Sequence, residues 1–330
     1  MAYETESNRI RTPLRWFGGK GRMLGRLLPL IPPHHTYVEV FGGGAALLFN
    51  KEPSPVEVYN DIDGDLVNFF RVLRDPEKFS KFYRLLQLTP YSREEFYFSC
   101  ETLEASRDDV ERAYKFFIAI RMSMGGLGAT GAHAWGYTVR KTSKGMSESV
   151  ANWLSTIEKL PEFHQRIRRV QIEHDDFRKV IPRYDTDETF FYCDPPYIQD
   201  LRKTGTYRFE MTLQDHKELV DLLLSVRGMA MLSGYRHAIY RPLEDAGWKR
   251  IDFQTACHAV VRSRTSGLHG QGSALEKVPR VESVWISPKA WIRLEVAKAD
   301  SLGIGRLEPI EPIAKTRGGN VADIIIEDRR

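Results

Sequence analysis

Tyr37-Val38-Glu39-Val40-Phe41 is an apolar run that breaks straight into Gly42-Gly43-Gly44 and resumes as Ala45-Ala46-Leu47-Leu48-Phe49. A second run, Val56-Glu57-Val58-Tyr59, ends in Asn60-Asp61-Ile62-Asp63, and an amphipathic segment follows over 65–74. Strand, glycine turn, helix, strand and acidic end in this order make half of a doubly wound α/β sheet. A short helix over 22–31, stopped by Pro32-Pro33, precedes it.

From about 75 to 165 the pattern becomes helical, over 77–87, 92–104 and 109–121, and then turns into a Gly-rich stretch, 125–131, with a basic segment to Lys144. This reads as an insertion. The α/β alternation resumes with strands at 169–173, 190–193, 230–233, 248–253 and 283–286 and helices at 212–226 and 237–246. Residues 255–282 read as a long edge loop. The expected organisation is a catalytic unit of 1–74 and 166–295, an insertion at 75–165, and a partly disordered tail at 296–330.

Composition excludes several classes. A 330-residue chain with 42% hydrophobic residues builds a real core, and it has no uninterrupted apolar segment of membrane-spanning length. The polar, acidic start lacks a signal-peptide core, so a cytoplasmic protein is expected. Cys100, Cys193 and Cys257 have no metal-ligand spacing and read as reduced, buried thiols. A net charge of +4 is only mildly basic. Each basic cluster taken alone reads most simply as a solvated face.

Five constellations carry chemistry. Glycines after a strand let the backbone approach a ligand, although this turn does not match dinucleotide spacing. Asp61, at the end of the next strand, is placed to accept hydrogen bonds from ribose hydroxyls, ahead of Asp63, which also suits a helix cap. Trp16-Phe17-Gly18-Gly19-Lys20 suits a clamp over a flat ligand, with Lys20 meeting a carboxylate or phosphate, or an N-terminal arm packed on the core. Asp176-Phe177 suits an adenine amino group and ring, or a helix cap. Lastly, Asp194-Pro195-Pro196-Tyr197 follows the buried run Phe190–Cys193 and sets one carboxylate, two rigid residues and a ring around an amino-bearing base.

In order and spacing these segments resemble the Dam-type, D12 class of adenine-specific DNA N6-methyltransferases. The family's W-x-G-G-K, F-x-G-x-G, N-D-I, D-F and D-P-P-Y match Trp16–Lys20, Phe41–Ala45, Asn60–Ile62, Asp176-Phe177 and Asp194–Tyr197. Later features match Tyr207 with Met211, Asp215-His216, Ser233–Tyr235 and Glu282–Trp285, so the resemblance covers about 13 to 288. Ala45 departs from it by replacing the last glycine of the glycine motif.

The resemblance implies a class I, Rossmann-like methyltransferase fold with a mostly parallel sheet, an inserted target-recognition region and S-adenosylmethionine as cofactor. It implies cofactor contacts at Trp16, Lys20, Phe41, Gly42, Gly43, Gly44, Asp61, Asp176, Phe177 and Asp194. Asp194, Pro195, Pro196 and Tyr197 would act on a flipped adenine of double-stranded DNA. Arg140, Lys141, Lys144, Arg202, Lys203, Arg262 and Arg264, with His269, are the DNA-contact candidates. The Gly126-Leu127-Gly128-Ala129 segment lacks the arginine of GATC-reading relatives, so that specificity is not transferred. A homodimer, a cognate restriction endonuclease and a prokaryotic or phage origin are compatible with it. Methylation of an RNA or protein amino nitrogen, or a silent DNA-binding regulator, remains as an alternative; the intact Asp194, Tyr197 and Lys20 weigh against the regulator. A dehydrogenase would need a proton-relay group beside the glycine turn, and none is found.

Overall fold

In a computed structural model of the chain, the residues described are 12–16, 18–124, 134–201, 208–256 and 279–301. The strands are β1 (Thr36–Glu39), β2 (Val56–Asn60), β3 (Thr142–Ser143), β4 (Met146–Ser147), β5 (Gln171–Glu173), β6 (Thr189–Cys193), β7 (Met229–Gly234), β8 (Lys249–Ala256) and β9 (Pro279–Ile286). The helices are α1 (Leu24–Leu27), α2 (Ala46–Asn50), α3 (Gly64–Arg74), α4 (Pro76–Leu88), α5 (Arg93–Thr102), α6 (Asp109–Arg121), α7 (Glu148–Ile167), α8 (Phe177–Tyr184), α9 (Leu213–Ser225), α10 (Arg241–Asp245) and α11 (Pro288–Ser301).

Seven strands form one sheet in the order β5-β2-β1-β6-β7-β9-β8. All pairs from β5 to β7 are parallel, and β9 runs antiparallel to both β7 and β8. The expected mixed, mostly parallel α/β sheet is therefore present. Side chains alternate across it with period two. Tyr37, Phe190, Tyr192, Met229 and Met231 enter one core with α2, α3 and α11. Val38, Val40, Phe191, Cys193, Ala230 and Leu232 enter the other with α8, α9 and α10. Both faces are covered, which explains why β6 and β7 are buried at every position.

The chain winds outward from β1 to β5 on one side and from β6 to β7 on the other. The switch point lies between β1 and β6, and a crevice opens there at the carboxyl ends of the strands. The glycine turn follows β1, Asp61 follows β2 and Asp194 follows β6, so the topology brings three distant motifs to one edge.

Local chemistry sets the helix starts. Asp63 caps α3, Asp75 caps α4 ahead of Pro76, and Asp108 caps α6. Thr212 and Asp215 form a capping box on α9. Several expectations need correction. The helix expected over 22–31 is broken into one α-turn between two 3₁₀ turns. The helix expected over 237–246 is a 3₁₀ turn followed by the five-residue α10. Strands β8 and β9 extend into the expected edge loop, as far as Ala256 and from Pro279. Helix α7 has no counterpart in the sequence reading, and the expected boundary at 165/166 falls inside it. Helix α11 runs to Ser301, past the expected start of the tail at 296. Pro288 opens it and the Ser287 hydroxyl accepts from Ala290 N at 3.4 Å, a start signal the tail reading overlooked. The rest of the tail, Cys257 and the Gly-rich stretch 125–131 lie outside the described residues.

The helical segment after α3 does not stand apart. Phe69 of α3 stacks on Phe117 of α6 with ring centres 5.8 Å apart, and Phe82, Phe96 and Trp153 belong to the same buried cluster as Leu47 and Tyr59. Helix α7 is tied to β2 by Arg166, which donates to both oxygens of the buried Glu57 at 2.5 and 2.7 Å. Lys51 meets the same carboxylate at 2.6 Å.

Candidate active site

The crevice between β1 and β6 is open to solvent. Its walls come from Trp16, Gly18, Gly19 and Lys20, from Glu39 and the glycine turn, from Asp61 to Asp63, from Tyr192, Asp194 and Pro196, and from Arg208 and Phe209.

The glycine turn is dictated by close approach. A Cβ on Gly42 would lie 2.1 Å from the Tyr59 ring, and one on Gly43 would lie 2.8 Å from the Trp16 indole. Gly43 also has φ +48°. The Tyr59 hydroxyl donates to Gly43 O at 2.9 Å, and Gly43 N donates to Asp61 Oδ2 at 2.8 Å. Asp63 N donates to the other oxygen of Asp61 at 2.9 Å. Asp61 thus joins the turn after β1 to the loop after β2. Burial pushes its carboxyl up to about 6, against these backbone donors, which favour the charged form. Asp63 caps α3, as its alternative reading expected. Asn60 staples three strand ends together: its amide donates to Val40 O at 2.9 Å and Asp175 O at 3.0 Å.

Lys20 lies at the other end of the crevice. Its ammonium is 2.7 Å from Asp194 Oδ1 and 3.2 Å from Glu282 Oε1, and it sits 4.8 Å from the centre of the Tyr197 ring. Burial alone would lower its pKa, but the two carboxylates win and hold it well above the usual lysine value. Asp194 is raised, first by burial and then by Glu282, with Lys20 opposing. Glu282 is lowered: burial opposes, but Lys20 and the Tyr197 hydroxyl outweigh it. The Tyr197 hydroxyl donates to Glu282, and its ring packs edge-on to Tyr235 at 4.7 Å.

Sequence-predicted residues thus meet here from four segments: Trp16 and Lys20, Phe41 to Gly44, Asp61, and Asp194 with Pro196. Asp176 and Phe177 are not among the residues lining the crevice. Asp176 caps α8, accepting from Arg178 N at 2.8 Å, and pairs with the Arg178 guanidinium at 3.0 Å. Phe177 is buried against Phe41, ring centres 5.6 Å apart, one layer behind the wall. Arg140, Lys141 and Lys144 are exposed around the β3–β4 hairpin, where Lys144 and Gly145 both take positive φ in a tight turn. Arg202, Lys203, Arg262, Arg264 and His269 lie outside the described residues.

Some residues were missed by sequence reasoning. Glu39 is buried at 2% exposure and lines the crevice; it accepts from Tyr37 Oη and from Leu48 N, both at 3.0 Å. Burial pushes it up to about 8, so it is largely protonated at neutral pH. Its signal was a carboxylate inside an otherwise apolar strand. Arg208 and Phe209 also form part of the wall. Arg208 reaches Asp65 and meets Glu104 at 2.7 Å, closing the rim against the helical segment. Neither follows from local pattern. Among the described residues there is no cluster that would hold a metal ion and no helix long and apolar enough to cross a membrane.

The site therefore combines a backbone cradle, a half-buried carboxylate after β2, and an ion-paired carboxylate held beside aromatic rings after β6. Comparison with known proteins gives the same neighbourhood. The family model for D12 class N6 adenine-specific DNA methyltransferases matches residues 16–238. A type II methyltransferase, M1.LlaDCHI, from Lactococcus lactis subsp. cremoris is 28% identical over 206 residues, 57% of this chain and 66% of that one. The DNA N-6-adenine-methyltransferase of Escherichia phage P1 is 25% identical over 64% of this chain and 28% of its own length. A DNA adenine methylase from Salmonella typhimurium is 23% identical over 83% of this chain and 95% of its own. With the family model matching residues 16–238, the chain belongs to the D12 class N6 adenine-specific DNA methyltransferase family.

Proposed function

We propose that this protein transfers a methyl group from S-adenosylmethionine to N6 of adenine in double-stranded DNA. One observation carries the reading: Asp194, held by Lys20 at 2.7 Å, faces the same crevice as the glycine cradle and Asp61. The Tyr59 and Trp16 rings leave no room for a Cβ at Gly42 or Gly43, so the turn lines the crevice with backbone alone. S-adenosylmethionine fits that cradle, and when bound it supplies an electrophilic methyl group on a sulfonium.

In this reading Asp61 accepts the ribose hydroxyls, Trp16 and Phe41 to Gly44 flank the cofactor, and Asp176 with Phe177 approaches its adenine from behind Phe41. Lys20 acts on Asp194 in addition to its expected place near the methionine end. The target adenine leaves the helix stack to reach the crevice. Asp194 accepts one hydrogen bond from its amino group and the Pro195 carbonyl accepts a second, which turns the nitrogen lone pair out of conjugation. Tyr197 stacks on the base, and Pro196 keeps the segment rigid. Catalysis then rests on positioning and electrostatics. The segment 75–165 and the hairpin residues Arg140, Lys141 and Lys144 meet the DNA, mainly its phosphates. A restriction–modification setting is supported by the relative named a type II methyltransferase.

Methyl-labelled cofactor offered side by side with duplex DNA, RNA and protein tests this. Label in N6-methyladenine of the duplex is expected; label only in RNA or protein would sink it. Asp194→Ala is expected to keep cofactor binding and lose at least about 10²-fold in transfer rate.

A further inference from the structure

Glu282 stands on β9, the strand that runs against its two neighbours, and the reading above gives it no task. Yet it is 13% exposed, 3.2 Å from Lys20, and accepts the Tyr197 hydroxyl. Lys20 therefore lies between two carboxylates, at 2.7 Å from Asp194 and 3.2 Å from Glu282. One cation facing two anions leaves the cluster with an excess negative charge. Of the other groups around the cluster, Tyr192 and Tyr197 are neutral and Glu39, with its carboxyl near 8, is mostly protonated at pH 7; Arg26 also acts on Glu282, but its guanidinium donates to Gln254 O at 2.9 Å.

We propose that Glu282 is a positioning residue for methyl transfer. It shares the charge of Lys20 and anchors Tyr197, so that Asp194 meets the target amino group with uncompensated negative charge. The inference rests on the reading of the site as an adenine N6-methyltransferase.

The chemistry calls for such a charge. The N6 lone pair forms the new N–C bond while the methyl carbon–sulfur bond breaks and its electron pair stays on sulfur. N6 becomes cationic until one of its protons leaves, and Asp194, already hydrogen-bonded to that N–H, takes the proton and passes it to water. A carboxylate fully neutralised by Lys20 would stabilise that cation less. Lys20 and Asp194 are only 7% and 17% exposed, so solvent screens the difference little.

Glu282→Gln keeps a partner for Tyr197 and removes the charge; Glu282→Asp keeps the charge. Three properties of the full-length protein are to be measured: transfer rate against pH into unmethylated duplex DNA of mixed sequence, binding of S-adenosylhomocysteine by tryptophan fluorescence, and thermal midpoint. For Glu282→Gln we expect the rate to fall by about 10–100-fold while product affinity and thermal midpoint stay near wild type. The acid limb of the rate profile should move to lower pH, because the negative neighbour that helps raise Asp194 is gone. Glu282→Asp should recover part of the rate. An unchanged rate and acid limb would overturn the proposal. So would a loss of rate matched by equal losses of affinity and thermal midpoint, which is what a merely structural residue gives. If the wild-type protein labels RNA or protein and not duplex DNA, the DNA reading fails, while the variants are still compared on the acceptor that is labelled. No labelling of any acceptor overturns both.

Discussion

Ala45 takes φ 56° and ψ 41°, the left-handed conformation that glycine adopts freely, at the position where the family pattern has glycine. The strain costs about 1–2 kcal/mol, and two things offset it. The Ala45 methyl is fully buried, worth about 0.8 kcal/mol, and alanine loses less backbone entropy on folding than glycine, by about 0.5–1 kcal/mol. Ala45→Gly is therefore expected to leave stability within about 1 kcal/mol of wild type in urea unfolding. Gly42→Ala is the contrasting case: its methyl meets the Tyr59 ring at 2.1 Å. It is expected to cost about 1–3 kcal/mol and to weaken cofactor binding, because Tyr59 also holds Gly43 O. At this scale the sequence announced the glycines, Asp61 and the aspartate of the D-P-P-Y segment, because each sits at a strand end and strand ends are readable from pattern. It did not announce that Lys20 would meet Asp194. That pairing spans most of the catalytic unit and depends on how the N-terminal arm folds over the sheet.

Among the elements, the strands were the most legible. Apolar runs of four to six residues, bounded by Gly, Pro and Asp and alternating with helical segments, read as buried strands. Helix α7 was not legible because Pro161 interrupts its pattern and proline reads as a stop. The helix continues through it, held by packing of Trp153, Ile157, Leu160 and Phe163. Its last turn carries Arg166, which together with Lys51 neutralises Glu57, a carboxylate only 1% exposed. Arg166→Ala leaves that carboxylate with one partner. Removing one partner of a buried pair typically costs about 3–5 kcal/mol, and Lys51 should hold the loss to about 3 kcal/mol, the lower end of that range. Urea unfolding at neutral pH reads it directly; a loss under about 1 kcal/mol would mean the link between α7 and β2 is not structural.

Over the whole molecule, the net charge of +4 says little about DNA, whereas the placement of charge says more. Arg140, Lys141 and Lys144 crowd an exposed hairpin whose tight turn holds them away from the core. If they meet phosphates, each contact removed should reduce the slope of log affinity against log salt by about 0.9. Arg140→Ala with Lys141→Ala is thus expected to flatten the slope by about 1.8 and to leave cofactor binding unchanged. An unaltered slope would move the contact surface elsewhere.

The aromatic stack of Phe69 on Phe117, inside a core that runs unbroken from Leu47 to Trp153, has a consequence for how such enzymes diversify. If the helical segment reads the target, its preference is not exchanged between relatives as a cassette cut at 75 and 165. Such a cut would sever α7 and strand Phe69 without its partner. Met122, just past α6, is buried in that core, whereas the exposed hairpin around Arg140 to Lys144 can vary without repacking it. Inheritance of a new recognition sequence should proceed there by drift and short replacement, with α3, α6 and α7 passed on as a block with the catalytic strands.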